Sequence, residues 1–317
     1  MCGAGKSTTT RELSLQFEYL SLPHRWVHEE ISNHPIRSGE FEAGDITSAE
    51  GMDVNVKDMI GKWQRLIRAV DTFAGTYIME GCFIHAIDRH FAYSAYGVEQ
   101  TLDYFDSVSK MLAEAGMLYV YLRSPDIRAT LENAFVSRGQ WWKELILAPE
   151  DRFFHITEYK GDETAYEYWH VFQDISDKVF ERYTGDKLLL NVPNGTQGAL
   201  TRKVMNHMNI PFIDVPPVEI SLPDKYCGTY SAVINGMEHG ITINYDSVNK
   251  SLYADERFYE DKKGYWPYVR LVPISNNCFK TESFPITLTF SEINNKHTVY
   301  VSGECGSSFL GRTLSRS

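Results

Sequence analysis

The hydrophobic periodicity of this 317-residue chain changes once, at about residue 210, and this change constrains the fold most. Before it, segments with apolar residues at helical spacing alternate with short apolar runs typical of strands. After a proline-containing stretch, short runs such as Gly240–Tyr245 and Pro285–Phe290 alternate between polar and apolar residues. The sequence therefore predicts two domains of different class, residues 1–210 and 224–317, joined by a linker at 211–223.

The first region predicts an α/β domain. Its strand candidates are short apolar segments, partly β-branched, that are separated by longer helical patterns. They are Arg25–His28, Thr76–Met79, Met117–Leu122 and Lys187–Val192. Strand–helix alternation implies a parallel sheet with helices on both faces. The second region, of about a hundred residues, predicts an antiparallel β-barrel or sandwich, the two forms that its short alternating strands can build.

Composition indicates which classes of binding partner and which cellular compartment to expect. The net charge of −11 argues against binding to a nucleic-acid polymer, although a few local cations suffice for a nucleotide pocket. Five widely spaced cysteines form no Cys-x-x-Cys pair, which predicts neither a zinc site nor a disulfide framework and favours a reducing cytoplasm. The chain has no apolar run long enough to span a bilayer, so we expect no membrane partner. The oligomeric state stays open, with a homodimer as one option.

The first residues of the chain contain the second half of a phosphate-binding loop. Its residues are Gly3, Ala4, Gly5, Lys6, Ser7 and Thr8, and they match the end of the signature Gly-x-x-x-x-Gly-Lys-Ser/Thr. The glycines allow a tight turn that aims backbone N–H groups at a phosphate, and the following helix adds the positive end of its dipole. Lys6 would reach the β- and γ-phosphates, and the Ser7 hydroxyl would complete a Mg²⁺ shell. A chance turn of the same composition is the structural alternative.

The first glycine of that signature would stand immediately before Met1. We expect about ten further residues upstream, ending in this glycine and forming the strand that leads into the loop.

Carboxylates end two of the predicted strands. Glu29 and Glu30 follow Arg25–His28, and Glu80 follows Thr76–Met79. Because strand C-termini face the ligand crevice of an open parallel sheet, either of the first pair can accept a proton from an attacking hydroxyl. Glu80 can orient Mg²⁺ through water or act as the base instead. A solvated carboxylate at a loop is the structural alternative for each.

Three arginines and one aspartate complete the candidate set. Asp88 and Arg89 form an acidic–basic pair that can fix a substrate, hold a phosphate or make a structural salt bridge. Arg128 and Arg138 lie in a helix that is predicted to start with Ser124 as its cap and to end at Arg138-Gly139. Either arginine can neutralise charge that develops on a transferring phosphoryl group.

Taken in order, these motifs resemble deoxyribonucleoside and thymidylate kinases over residues 1–210. The resemblance rests on the loop, the acidic strand ends, Asp88-Arg89-His90, and a lid-like segment from Tyr121-Leu122-Arg123-Ser124-Pro125 to Arg138-Gly139. Gly81 stands where the first group usually has arginine, and His90 where the second usually has tyrosine. The resemblance implies a P-loop kinase fold, ATP with Mg²⁺, and phosphoryl transfer to a nucleoside, a nucleotide or a similar hydroxylated metabolite. It implies that Lys6 and Ser7 bind the phosphate and the metal, and that Arg89 and Arg138 contact the acceptor or the phosphate.

The C-terminal region is similar, over Tyr226–Tyr230 and the later strands, to small lipocalin-like barrels appended to some bacterial enzymes. That similarity implies a lid, a ligand pocket or an oligomer surface. Two functions remain open for the whole chain. One is an ATP-dependent small-molecule kinase, and the other is a nucleotide-binding regulator whose β domain binds a partner or ligand. Only the kinase would show turnover that depends on an acceptor.

Overall fold

The computed structural model describes residues 3–29, 31, 34–146, 162–192, 197–214, 218–220, 222–255, 268–282, 284–303 and 309–316. The chain divides into two compact units. The first contains Met1–Arg25 and Asn33–Phe212, and the second contains Trp26–Ser32 and Ile213–Ser317. The short segment Trp26–Ser32 thus belongs to the unit of the C-terminal region, although it lies near the start of the sequence.

Helices dominate the first unit. They are α1 (Lys6–Tyr19), α2 (Ala49–Asp71), α3 (Val98–Glu114), α4 (Ile127–Arg138), α5 (Gln140–Ile146), α6 (Asp162–Arg182) and α7 (Gln197–His207). A 3-10 turn, Ile84–Ala86, and a π-helical turn, Asp88–Ala92, precede α3. The core includes side chains from α2, α3 and α6, and the buried Trp63 indole N–H donates to the Tyr104 hydroxyl at 3.2 Å. No helix in the described part of the chain has the length and apolarity that crossing a membrane requires.

Four short strands accompany these helices: β1 (His24–Val27), β2 (Thr76–Met79), β3 (Tyr119–Arg123) and β4 (Lys187–Asn191). β1 and β2 form one two-stranded sheet, and β3 and β4 form another whose strands run parallel. The ends of each of the four strands agree with those of a predicted strand to within two residues. Among the described residues the parallel pairing is therefore limited to two-stranded sheets, and a larger sheet that joins them is not seen.

The start of α4 differs from its prediction. Asp126, and not Ser124, is the N-cap, because the Asp126 carboxylate accepts the Ala129 N–H at 2.9 Å. The Ser124 hydroxyl instead contacts the Thr130 hydroxyl at 2.7 Å, one turn into the helix. Aspartate is as good a cap as serine, and the side chain nearer to the first free N–H groups takes the role.

Eight antiparallel strands close into a barrel in the second unit. They are β5 (Gly228–Ile234), β6 (Met237–Asp246), β7 (Ser251–Asp255), β8 (Tyr268–Ser275), β9 (Cys278–Thr281), β10 (Ile286–Ile293), β11 (Lys296–Gly303) and β12 (Arg312–Arg316). Each strand pairs with its neighbours in sequence, and β12 closes the ring against β5. This confirms the barrel among the two predicted forms, since a sandwich would leave the ring open.

Strand alternation fills the barrel interior with apolar side chains. In β10, Ile286, Leu288 and Phe290 are buried. Across the ladder to β11, Leu288 lies opposite Val301 and Phe290 opposite Val299. Because side chains alternate between the two faces of a strand, one register places all of these residues inside.

Candidate functional site

The loop that leads into α1 has a conformation suited to glycine. Gly3 and Gly5 adopt φ angles of +76° and +78°, in the left-handed region. A Cβ at Gly3 would lie 3.1 Å from the Thr130 carbonyl oxygen and 3.2 Å from Ala134 Cβ, so the loop packs closely against α4. At Gly5 such an atom would meet no described residue within 4 Å. The two glycines are thus required by backbone conformation at both positions and by packing at Gly3.

The N-terminus of α1 carries no side-chain cap. Gly5 is the N-cap, and the first turn holds no acidic residue. The Thr9 N–H closes the first turn on the Gly5 carbonyl at 2.9 Å. N–H groups at a helix start need an acceptor from outside the helix, and the dipole favours a negative one. Within the loop, Ala4 is buried and Lys6, Ser7 and Thr8 are half-buried.

A buried carboxylate connects this helix start to the end of β2. Glu80, the residue after β2, is only 2 % exposed. The Ser7 hydroxyl donates a hydrogen bond to Glu80 Oε1, and the Thr10 hydroxyl lies 2.9 Å from Glu80 Oε2. Burying a carboxylate is costly unless donors compensate it, and these hydroxyls occupy both of its oxygens. The predicted metal pair, Ser7 and Glu80, is therefore in direct contact.

The chemistry of these donors matches a hard cation. Hydroxyl and carboxylate oxygens suit Mg²⁺, which typically uses one or two carboxylates together with water and phosphate oxygens. No group of three or more His, Cys, Asp or Glu side chains that could hold a metal occurs among the described residues. The two donors, the Ser7 hydroxyl and the Glu80 carboxylate, are of the type that Mg²⁺ prefers.

Glu29 lies in the second unit, in the segment after β1, and is half-buried. Glu30 lies outside the described residues. Asp88 and Arg89 occupy the π-helical turn before α3, with side chains outside the described part of the structure.

Arg138 is the last residue of α4, and its side chain also lies outside the described part. Its backbone is four residues, or about one helical turn, beyond Ala134. Since Ala134 packs against Gly3, α4 connects the loop to the predicted lid end.

Arg128 has partners on α6. Its guanidinium is 2.8 Å from the Glu163 carboxylate and 3.8 Å from the centre of the Tyr166 ring. The bond to Glu163 raises the pKa of Arg128 above its usual value. About half of the Arg128 side chain is exposed, so the ion pair is a surface contact between two helices.

The prediction missed Thr10. Its hydroxyl contacts Glu80 in the same way as Ser7, yet it lies outside the phosphate-loop signature. Helical spacing would have found it, because residues three apart lie on the same face of a helix.

The sequence matches no protein-family model, and comparison with curated proteins finds no relative.

Proposed function

We propose that the first unit is a P-loop kinase domain, with a parallel sheet covered by helices on both faces. It binds ATP with Mg²⁺ and transfers a phosphoryl group to a small hydroxylated acceptor, of which nucleosides and nucleotides are the leading class. The contact between Ser7 and Glu80 carries the proposal. It joins the loop that would hold phosphate to a buried carboxylate at a strand end, the pairing that such a metal–nucleotide site needs.

The chain's own residues divide the work. Backbone N–H groups from Gly3 to Thr8 and the Lys6 ammonium bind the phosphates, and Ser7 and Glu80 hold the metal. Glu29 or Glu30 accepts the proton of the acceptor hydroxyl. Arg138 neutralises developing charge, while Asp88, Arg89 and Arg128 contact the acceptor. ATP with Mg²⁺ supplies the transferable phosphoryl group and the positive charge that stabilises its departure.

ADP release tests the proposal. The wild-type protein is incubated with ATP, Mg²⁺ and, in turn, the four deoxyribonucleosides and their four monophosphates. We expect one or more acceptors to stimulate ADP release. Lys6→Ala should lower this rate by about a hundredfold or more, because it removes a charge from the proposed phosphate site. Lys110→Ala, at an exposed lysine of α3, is the matched control and should retain the rate.

Two outcomes would contradict the kinase. In the first, no acceptor stimulates ADP release, but the protein binds ATP tightly and Lys6→Ala abolishes this binding. That result would identify the nucleotide-binding regulator instead. In the second, Lys6→Ala and Lys110→Ala release ADP at equal rates. That result would show that the loop takes no part in the reaction.

A further inference from the structure

His90 is a histidine in the core of the first unit, and the proposed mechanism gives it no role. It lies in the π-helical turn Asp88–Ala92 and is 0 % exposed. Its carbonyl oxygen accepts a hydrogen bond from the Ser94 hydroxyl at 2.5 Å, so a side chain satisfies the backbone at this irregular turn. π-Helical turns are rare, and they occur frequently at functional sites.

The hydrogen bonds of this imidazole determine where its proton lies. His90 Nδ1 is 3.1 Å from the Thr101 hydroxyl oxygen. That hydroxyl has a single proton, and it lies 2.9 Å from the Gly97 carbonyl oxygen, which can only accept. Nδ1 therefore carries the imidazole proton and donates it to Thr101. Because burial lowers the pKa of His90 to about 3, the ring is neutral and Nε2 keeps its lone pair.

The second ring nitrogen has no donor to bind. His90 Nε2 is buried and has no hydrogen-bond partner among the described residues. The rings of Tyr104, Tyr96 and Phe41 surround the imidazole, with centroids 4.6, 5.2 and 5.5 Å from its own. A buried acceptor that stays unpaired costs free energy, and native proteins rarely contain one. This nitrogen is therefore suited to a donor that a ligand brings.

Phe41 covers the histidine in a strained conformation. Its φ angle is +54°, in the left-handed region that bulky residues avoid. Its ring is 4 % exposed and packs edge-on against His90 and, at 6.0 Å, against Tyr104. Such strain persists only where packing offsets it, and it is common at ligand clamps. A movement of the Phe41 ring would release the strain, so this ring can give way to a ligand.

We propose that His90 is a binding residue for the acceptor, and that its Nε2 accepts a hydrogen bond from the ring N–H of a planar heterocycle. The heterocycle enters where the Phe41 ring packs. The choice of ligand rests on the kinase function proposed above, in which Asp88 and Arg89 of the same turn contact the acceptor. Aromatic walls suit a flat ring. One lone pair suits one N–H, whereas an exocyclic amine brings a second donor that this lone pair cannot satisfy.

Nucleoside binding without ATP tests this site separately from catalysis. The probes are the four deoxyribonucleosides, with free deoxyribose as the control for the sugar. Isothermal titration calorimetry on the full chain gives each Kd. Nitrogen-15 NMR of histidine-labelled protein reports whether the lone pair of Nε2 is hydrogen-bonded, and the signal of His90 is identified by its absence from His90→Asn.

We expect thymidine and deoxyguanosine, whose bases have a ring N–H, to bind about tenfold or more tightly than deoxycytidine and deoxyadenosine. Their binding should move the Nε2 signal of His90 upfield. His90→Asn keeps a polar atom near the position of Nδ1 but none at Nε2, so it should bind these two nucleosides about ten- to a hundredfold more weakly. His90→Gln places an amide oxygen near the position of Nε2 and should recover most of the affinity.

Phe41→Gly tests the cover, and it keeps the proposal falsifiable if His90→Asn does not fold. Glycine adopts a φ of this sign without strain, and the ring that binding has to displace is gone. We expect the Kd of thymidine to fall by about three- to tenfold. Phe172→Ala is the matched control, because Phe172 is 6 % exposed in the same core but packs against Tyr168 and Trp169. It should leave the Kd unchanged.

Equal affinity of the wild-type protein and His90→Asn would overturn the proposal. So would an Nε2 signal that is already upfield without a nucleoside and does not move, because a buried water then binds this nitrogen. Weaker binding by Phe41→Gly would overturn the covering role, and tight binding of all four nucleosides would overturn the ring N–H as the recognised group.

The two proposals fail separately. If none of the four nucleosides binds, the site at His90 is overturned, whereas the kinase function stands as long as another acceptor stimulates ADP release. If thymidine or deoxyguanosine binds as expected but no acceptor stimulates ADP release, the kinase function is overturned and the binding site at His90 is supported.

Discussion

Glu80 shows how one residue can link a loop, a helix and a strand. It is 2 % exposed, and its two carboxylate oxygens face hydroxyls three residues apart on α1. The Thr10 hydroxyl also lies 3.0 Å from the Lys6 carbonyl oxygen, but its single proton favours the charged acceptor. Ser7 is assigned to the metal in the proposed function, whereas Thr10 is not. We therefore expect the Thr10 hydroxyl to orient Glu80.

Thr10→Val should lower the free energy of unfolding by about 1–3 kcal/mol, because a buried carboxylate oxygen loses its donor while the side-chain shape is kept. Thr10→Ser, which retains the hydroxyl, should recover most of this loss. Urea denaturation measures both. In a double-mutant cycle with Glu80→Gln, the two changes should be coupled by about 1 kcal/mol. Additive effects would show that Thr10 does not act through Glu80.

At the scale of elements, α4 spans from the loop to the predicted lid end. Its start is fixed by the Asp126 cap, and Ala134 packs on Gly3. Its end is fixed by Gly139, whose N–H donates to the Phe135 carbonyl oxygen at 2.9 Å. Gly139 has φ +86° and ψ 177°, a conformation that residues with a Cβ adopt only under strain. α5 starts at the next residue, so this glycine sets the angle between the two helices.

Gly139→Ala should destabilise the protein by about 1–3 kcal/mol, because the cost comes from the backbone angle alone. Among the described residues, a Cβ at this position would meet no atom within 4 Å, so we expect no contribution from steric clash. Gly61→Ala, inside α2, is the matched control and should stabilise by up to about 1 kcal/mol through helix propensity. Thermal unfolding compares them. A stabilising Gly139→Ala would show that the two helices reorient freely there.

At the scale of the molecule, each unit has its own apolar core. The core of the first unit contains a buried titratable group, His90, which is 0 % exposed and stacks on Tyr104 at 4.6 Å. Its Nδ1 lies 3.1 Å from the Thr101 hydroxyl, and its Nε2 has no hydrogen-bond partner among the described residues. Burial lowers the pKa of His90 from 6.5 to about 3, since the core disfavours the charged form.

The stability of the first unit should therefore fall as the solution is acidified from pH 6.5 towards pH 3. In this window the unfolded chain binds a proton at His90 and the folded chain does not. The contribution of neutral His90 to the free energy of unfolding is therefore complete above pH 6.5 and is lost progressively as the pH falls towards 3. The slope from this group is about 1.4 kcal/mol per pH unit. His90→Gln should make the dependence shallower by about that amount in urea unfolding at pH 4–6. An unchanged slope would show that His90 is accessible to protons in the folded state.

Local patterns predicted most elements well. The candidate strand Thr76–Met79 coincides with β2, and the segment Lys187–Val192 differs from β4 by one residue. The helix end at Arg138-Gly139 is confirmed. Such features depend on interactions between residues close in sequence, which is why periodicity and glycine reveal them. The cap of α4 was wrong because two good capping residues compete within three positions.

The sequence by itself determined the phosphate-loop motif, the division between helical and alternating regions, and the filling of the barrel by every second residue. Tertiary structure alone decided that the eight strands close into a ring, that Thr10 and Ser7 meet Glu80 across about seventy residues, and that Phe284 packs on His28. Contacts between residues far apart in sequence depend on how whole elements pack. No spacing within a single segment records that packing, so the partner of the segment around Glu29 could be identified only in the folded chain.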